Sequence, residues 1–115
     1  MKNVSLLLTA MMAMSHAYAA DDFLQACGSH CRVLKEDGKV RVVDYTAKKG
    51  DKVAMHSHPG HVVYVIKAGK VKWTFPDGTT KETEGGDGEA AINAPVTHAQ
   101  EHLADVHVIL VEFKQ

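Results

Sequence analysis

From residue 32 to residue 113 the chain alternates between short β-branched runs and clusters of turn residues. The runs occupy 32–36, 39–47, 52–56, 61–67, 70–75, 79–84, 89–93, 96–101 and 106–113. Turn residues such as Asp37-Gly38, Pro59-Gly60, Ala68-Gly69, Asp77-Gly78, the stretch 85–88 and Ala94-Pro95 separate them. Turns at this spacing, about every 8–12 residues, predict an all-β sandwich or barrel. Within 70–75, Val71, Trp73 and Phe75 alternate with Lys70, Lys72 and Thr74, the period of a half-buried strand. Trp73 and Phe75 therefore read first as core, with an inward face able to line a cavity. The runs 62–66 and 106–111 are apolar on both faces, which predicts strands buried between layers. No stretch beyond residue 35 sustains a helical period. Residues 21–32 form a lead-in, helical or irregular.

The first nineteen residues stand apart. Lys2, an apolar stretch over 4–14 and the small-x-small triplet Ala17-Tyr18-Ala19 match a bacterial secretory signal. The expected organisation is a signal peptide at 1–19, a lead-in at 20–32 and one β-barrel domain at 33–115, in a periplasmic or secreted protein. A chain of 115 residues has room for one domain. Its net charge of -1 provides no electrostatic footprint for nucleic acid. No apolar stretch reaches the ~20 residues of a membrane-spanning helix.

Histidine placement changes the picture most. His56, His58 and His61 fall in one cluster, and His98 and His102 in another. Side chains two apart on a strand share a face, so His56 and His58 present two imidazoles to one side. Pro59-Gly60 breaks the strand, and His61 opens the next apolar run, from which it can return to the same centre. His98 follows Pro95 in a separate strand, from which it is expected to close the site from a facing sheet. Three or four neutral imidazoles suit Cu, Zn, Ni or Fe(II) better than Mg or Ca. His102 reads equally as ligand, hydrogen-bonding neighbour or exposed rim. Glu101 becomes a partner for a ligand histidine if it turns inward. His30 and His107 lie outside both clusters, His107 as a strand residue that is not a ligand. Asp77-Gly78 reads as a hairpin. The Gly-rich stretch 85–88 reads as a turn, since a strand and not a helix follows it.

With these motifs in place, residues 33–114 resemble the cupin superfamily. Gly50, then His56-Ser57-His58, and Gly69 as the closing glycine match the family's first motif. Gly88, Pro95 and His98 match the second, with His102 in the place of an Asn. The acidic ligand of the first motif is missing. Strict spacing puts Val62 or Val63 in its place, whereas alignment on the following strand puts His61 there. The second alignment is preferred because an imidazole coordinates and a Val does not. The resemblance then implies a double-stranded β-helix, or jelly roll, holding one divalent transition-metal ion by His56, His58, His61 and His98. Replacing a carboxylate by imidazole favours Cu or Zn, with Fe, Ni and Mn as alternatives. It also allows a homodimer without defining an interface.

Cys27 and Cys31 are the only cysteines. In an oxidising compartment the leading reading is a local disulfide; a site of two thiolates with His30 is the alternative. The fold alone does not choose an activity. A metal- or small-ligand-binding protein is slightly preferred over a metal-dependent enzyme of dioxygenase or isomerase type. In the enzymatic reading Tyr64, Glu101 and His102 are the candidates for proton transfer.

Overall fold

The computed structural model describes residues 20–114; the expected signal peptide lies outside the described residues. A two-residue strand β1 (Asp21–Asp22) leads into helix α1 (Phe23–Cys27) and a 3-10 turn (Gly28–His30). Nine strands follow: β2 (Cys31–Glu36), β3 (Val40–Ala47), β4 (Lys52–His58), β5 (His61–Lys67), β6 (Lys70–Thr74), β7 (Thr80–Glu84), β8 (Ala90–Asn93), β9 (Val96–His102) and β10 (Val106–Phe113). Each predicted run thus becomes a strand, with ends moved by one or two residues. The change that matters is at β4 and β9, which run on to include His58 and His102.

The strands form two five-stranded sheets, ordered β1-β4-β9-β6-β7 and β2-β3-β10-β5-β8. Most successive strands change sheet: β1 to β2, β3 to β4, β4 to β5, β5 to β6, β7 to β8, β8 to β9 and β9 to β10. That crossing makes the jelly roll, and it brings residues distant in sequence to one interior. Apart from the short parallel pair of β1 with β4, all pairings are antiparallel. No helix among the described residues is long and apolar enough to cross a membrane.

The turns follow their chemistry. Asp37 Oδ1 accepts from the backbone N–H of Lys39 and Val40, which closes the β2–β3 hairpin. Asp77 Oδ1 accepts from Thr79 N in the β6–β7 hairpin, where Gly78 has φ +88°. The 85–88 stretch is a turn, with Gly88 N bonded to Val65 O.

Phe23, Cys27, Val43, Tyr45, Ala47, Val53, Val106 and Leu110 make the buried apolar cluster. The lead-in is therefore part of the packed interior. Asp22 caps α1 by accepting from Leu24 N, and the Cys27–Cys31 disulfide ties the helix to β2. His30 bonds Thr46 O through Nδ1 and both sulfurs are in the disulfide, so the thiolate alternative has no support. The two-sided burial predicted for 62–66 is corrected, while the outer residues of 106–111 are half-buried. Val63, Val65, Val108 and Leu110 face the interior, whereas Tyr64, Ile66 and the neighbouring Ile92 are exposed, Ile92 at 86 %. Among the described residues no layer covers that outer face.

Candidate metal centre

Strand β4 carries a bulge between Val53 and His56, where the register against β9 slips by one residue. An extra residue re-aims the side chains beyond it, so Val53, His56 and His58 are all buried. The bulge also supplies a hydrogen-bond acceptor: His56 Nδ1 donates to Ala54 O at 2.8 Å. His98 stands directly across the ladder from His56. It therefore reaches the centre from the adjacent strand of the same sheet, which corrects the expectation of a facing sheet. The facing sheet contributes His61 and Glu112, which are cross-strand partners on β5 and β10.

His56, His58 and His98 each offer a nitrogen, and these atoms lie within 4.8 Å of one another. His61 is buried beside them but is not part of that group. Its ring stacks on His58 with centroids 4.6 Å apart. Its Nδ1 donates to Pro59 O at 2.8 Å, and Asn93 Nδ2 faces its Nε2 at 3.4 Å.

Where the protons sit decides what the cluster can hold. His56 Nδ1 faces a carbonyl, and His58 Nδ1 faces the Glu112 carboxylate at 2.8 Å. Neither acceptor can donate, so both Nδ1 atoms carry the proton, and both Nε2 atoms are left for the centre, that of the neutral His56 ring as a lone pair. Those two Nε2 atoms are 3.0 Å apart. Two ring nitrogens come this close with a proton or a metal ion between them. Nitrogens sharing a first-row ion at about 2.1 Å adopt a separation of about this size. His98 Nε2 is buried with no hydrogen-bond partner. The donor set therefore fits one transition-metal ion.

Burial keeps the ligands ready. It pushes the pKa of His56 down to about 4 and that of His98 down to about 3, and it lowers that of His61. All three are neutral at neutral pH. Glu112 is completely buried. Burial alone would raise its pKa, but hydrogen bonds from His58 and Arg41 outweigh this and hold the carboxyl below its usual range. Arg41 Nε donates to Glu112 Oε1 at 3.1 Å, and Nη2 reaches the same oxygen. The line Arg41–Glu112–His58 fixes the ring, as carboxylates behind metal-bound histidines do. Phe23 closes the site from the lead-in, with its ring centroid 4.2 Å from His58 and 5.1 Å from His56.

Comparison with known proteins gives the architecture a name. A cupin domain from Bordetella pertussis Tohama I superposes with a TM-score of 0.66 at 18% identity, over 74% of this chain and 92% of that one. The fold is that of a cupin domain. An RmlC-like cupin from Shewanella frigidimarina matches at TM-score 0.55 and 20% identity, over 83% of this chain and 82% of that one. A conserved protein with a double-stranded β-helix domain from Klebsiella pneumoniae matches at 0.54 and 24%, over 71% and 74%. No family model matches the sequence, and no curated protein does either.

The cupin motif glycines have identifiable reasons. Gly50 has φ +92°, which other residues rarely adopt. At Gly69 a Cβ would lie 2.9 Å from Val106 Cβ and 3.0 Å from Asp105 O. The cupin interior holds a cavity of about 650 Å³ that reaches His58, His61 and His98. Trp73 and Phe75 line it rather than filling a core. Trp73 lies over His98 with centroids 4.5 Å apart, and its indole N–H donates to Thr83 Oγ1 at 2.7 Å.

Other expected residues separate by strand alternation. His98, Gln100 and His102 of β9 line the cavity and Glu101 does not, so Glu101 has no ligand histidine to support. Tyr64 is 48 % exposed on the outer face of β5, which removes it as a proton-transfer group. His102 faces the cavity at a distance from the other imidazoles and bonds Tyr45. His107 pairs with Asp44 on the outer side of β10. Sequence reasoning passed over Glu112, Arg41, Tyr45, Gln100 and Asn93. A signal for two of them existed: Glu112 continues the inward series Val106, Val108, Leu110, and Gln100 sits between two inward histidines.

Proposed function

We propose that this protein is an exported, mononuclear metal-binding cupin, which holds one transition-metal ion by His56, His58 and His98, with His61 as a weaker fourth donor. The observation that carries the reading is the convergence of one nitrogen each from His56, His58 and His98 within 4.8 Å of one another, with His98 Nε2 buried and unpartnered. Asn93 competes for the His61 lone pair, which makes that donor the weakest. An all-imidazole set favours Cu or Zn, with Fe, Ni and Mn as weaker alternatives. The Cys27–Cys31 disulfide supports a periplasmic or secreted location, because such bonds persist in oxidising compartments.

Elemental analysis of tag-free protein tests this reading. About one equivalent of Cu or Zn is expected, and it is lost in His56→Ala. No bound metal after reconstitution, or unchanged metal in His56→Ala and His58→Ala alike, overturns the reading.

The cavity that reaches these imidazoles favours a second reading, metal-dependent turnover of a small molecule. A bound ion would supply Lewis-acid or redox chemistry at that wall. Oxygen uptake or isomerisation by the metal-loaded protein with an organic substrate would establish it.

A further inference from the structure

Strand β9 sends three polar side chains into the cavity in succession, His98, Gln100 and His102. Much of the surrounding wall is apolar, including Val63, Val65, Val71, Val108 and Leu110. His98 belongs to the metal centre. The other two join Tyr45 of β3: Tyr45 Oη lies 2.6 Å from His102 Nε2, and Gln100 Nε2 lies 3.0 Å from Tyr45 Oη and 3.1 Å from His102 Nε2. Tyr45 and His102 are 2 % exposed and Gln100 7 %.

Placing three polar side chains against apolar walls is costly unless their hydrogen-bonding groups are used. Here some are unused. With Nε2 accepting from the Tyr45 hydroxyl, the His102 proton sits on Nδ1, and that atom is buried with no partner. Gln100 uses its amide nitrogen in both of its bonds. Among the described residues its Oε1 accepts none.

We propose that Tyr45, Gln100 and His102 form a second binding site at the far pole of the cavity, which takes the uncharged hydroxyl or carbonyl end of an elongated, otherwise apolar small molecule whose other end faces His58 and His98. The proposal rests on the metal-binding reading for the orientation of the ligand, but not for the existence of the far pole.

Four residues separate His98 from His102, about 13 Å of strand at ~3.3 Å per residue, which demands length in the ligand. Trp73 and Phe75 in the wall suit a flat body. The far pole itself is uncharged: burial pushes the pKa of Tyr45 up to about 12 and lowers that of His102. A carboxylate there would be stripped of water without a counter-charge, so the charged end of a two-ended ligand belongs at the metal.

Calorimetric titration of the zinc-loaded protein with 4-hydroxycinnamate and with cinnamate tests the site. The hydroxyl should tighten binding about five- to tenfold, and Tyr45→Phe and His102→Gln should each reduce that preference to less than about twofold. Equal affinity for the two acids, no binding of either, or an unchanged preference in both variants overturns the proposal. If zinc does not bind, the metal reading fails on its own. The far pole is then tested in metal-free protein with 4-ethylphenol against ethylbenzene, where a preference for the phenol supports the site and its absence overturns it. The wild-type comparison stands even if a variant fails to fold.

Discussion

Two buried polar clusters face one cavity and use their nitrogens in opposite ways. At the His56–His58–His98 pole, a carbonyl and a carboxylate occupy the Nδ1 atoms of His56 and His58. Their Nε2 atoms are left converging 3.0 Å apart, and His98 Nε2 beside them has no partner. At the Tyr45–Gln100–His102 pole the Tyr45 hydroxyl serves the imidazole nitrogen and the Gln100 amide donates to that hydroxyl, so these bonds need no cation. Burial is similar at the two poles, so burial does not tell a metal site from a hydrogen-bonded one. What differs among the described residues is the convergence of three imidazole nitrogens within 4.8 Å at the first pole only.

The sharpest way to break the contrast is to remove a converging nitrogen. His56→Ala or His58→Ala should cut metal affinity by at least about a hundredfold, as expected when one of three or four ligands is lost; competition with a chelator of known affinity measures it.

Glu112→Gln comes next. The amide can still accept from His58 Nδ1 but supplies no charge, so metal affinity should fall about 10–100-fold. Arg41 also loses its ionic partner, and thermal unfolding should shift down by several degrees, since removing one member of a buried pair leaves the other uncompensated. Unchanged affinity in this variant would mean that the carboxylate serves packing alone.

His61→Ala should cost less than either, because Asn93 already engages its Nε2. A loss as large as that of His56→Ala would make His61 a full ligand, and no loss at all would leave a three-histidine centre.

The mildest expected effect is acid sensitivity. His56 and His98 have folded pKa values of about 4 and about 3, below their ordinary 6.5. Below about pH 6.5 the unfolded chain therefore takes up protons that the folded chain refuses, and stability falls as pH drops toward 4. Glu112 acts in the same direction at lower pH: its carboxylate stabilises the fold above the usual carboxylate range, and that stabilisation is lost as pH falls through its depressed value. Denaturant unfolding of metal-free protein between pH 7 and about 4 checks the slope; a flat profile contradicts burial of neutral imidazoles. Added metal should steepen the profile, since protons and metal compete for the same nitrogens.

Much of the fold was legible in the chain because strand signals are local. Period-two alternation and turn residues are properties of a few neighbouring positions, and each run they marked became a strand. The shared face of His56 and His58 was legible for the same reason. The two-sided burial expected of 62–66 failed because apolar composition reports what a strand tolerates, while exposure depends on whether another layer arrives. Tyr64 and Ile92 show that none does among the described residues.

Local patterning sufficed for an all-β domain, the pairing of His56 with His58, and the place of Gly50 and Gly69 in the motif. Tertiary structure alone decided that His98 lies across the ladder from His56, that Glu112 and Arg41 stand behind His58, and that Tyr45 meets His102. The reason is sequence separation. Alternation tells which side of its own strand a residue takes, but the crossing of the chain between sheets and the one-residue bulge in β4 choose which sides meet.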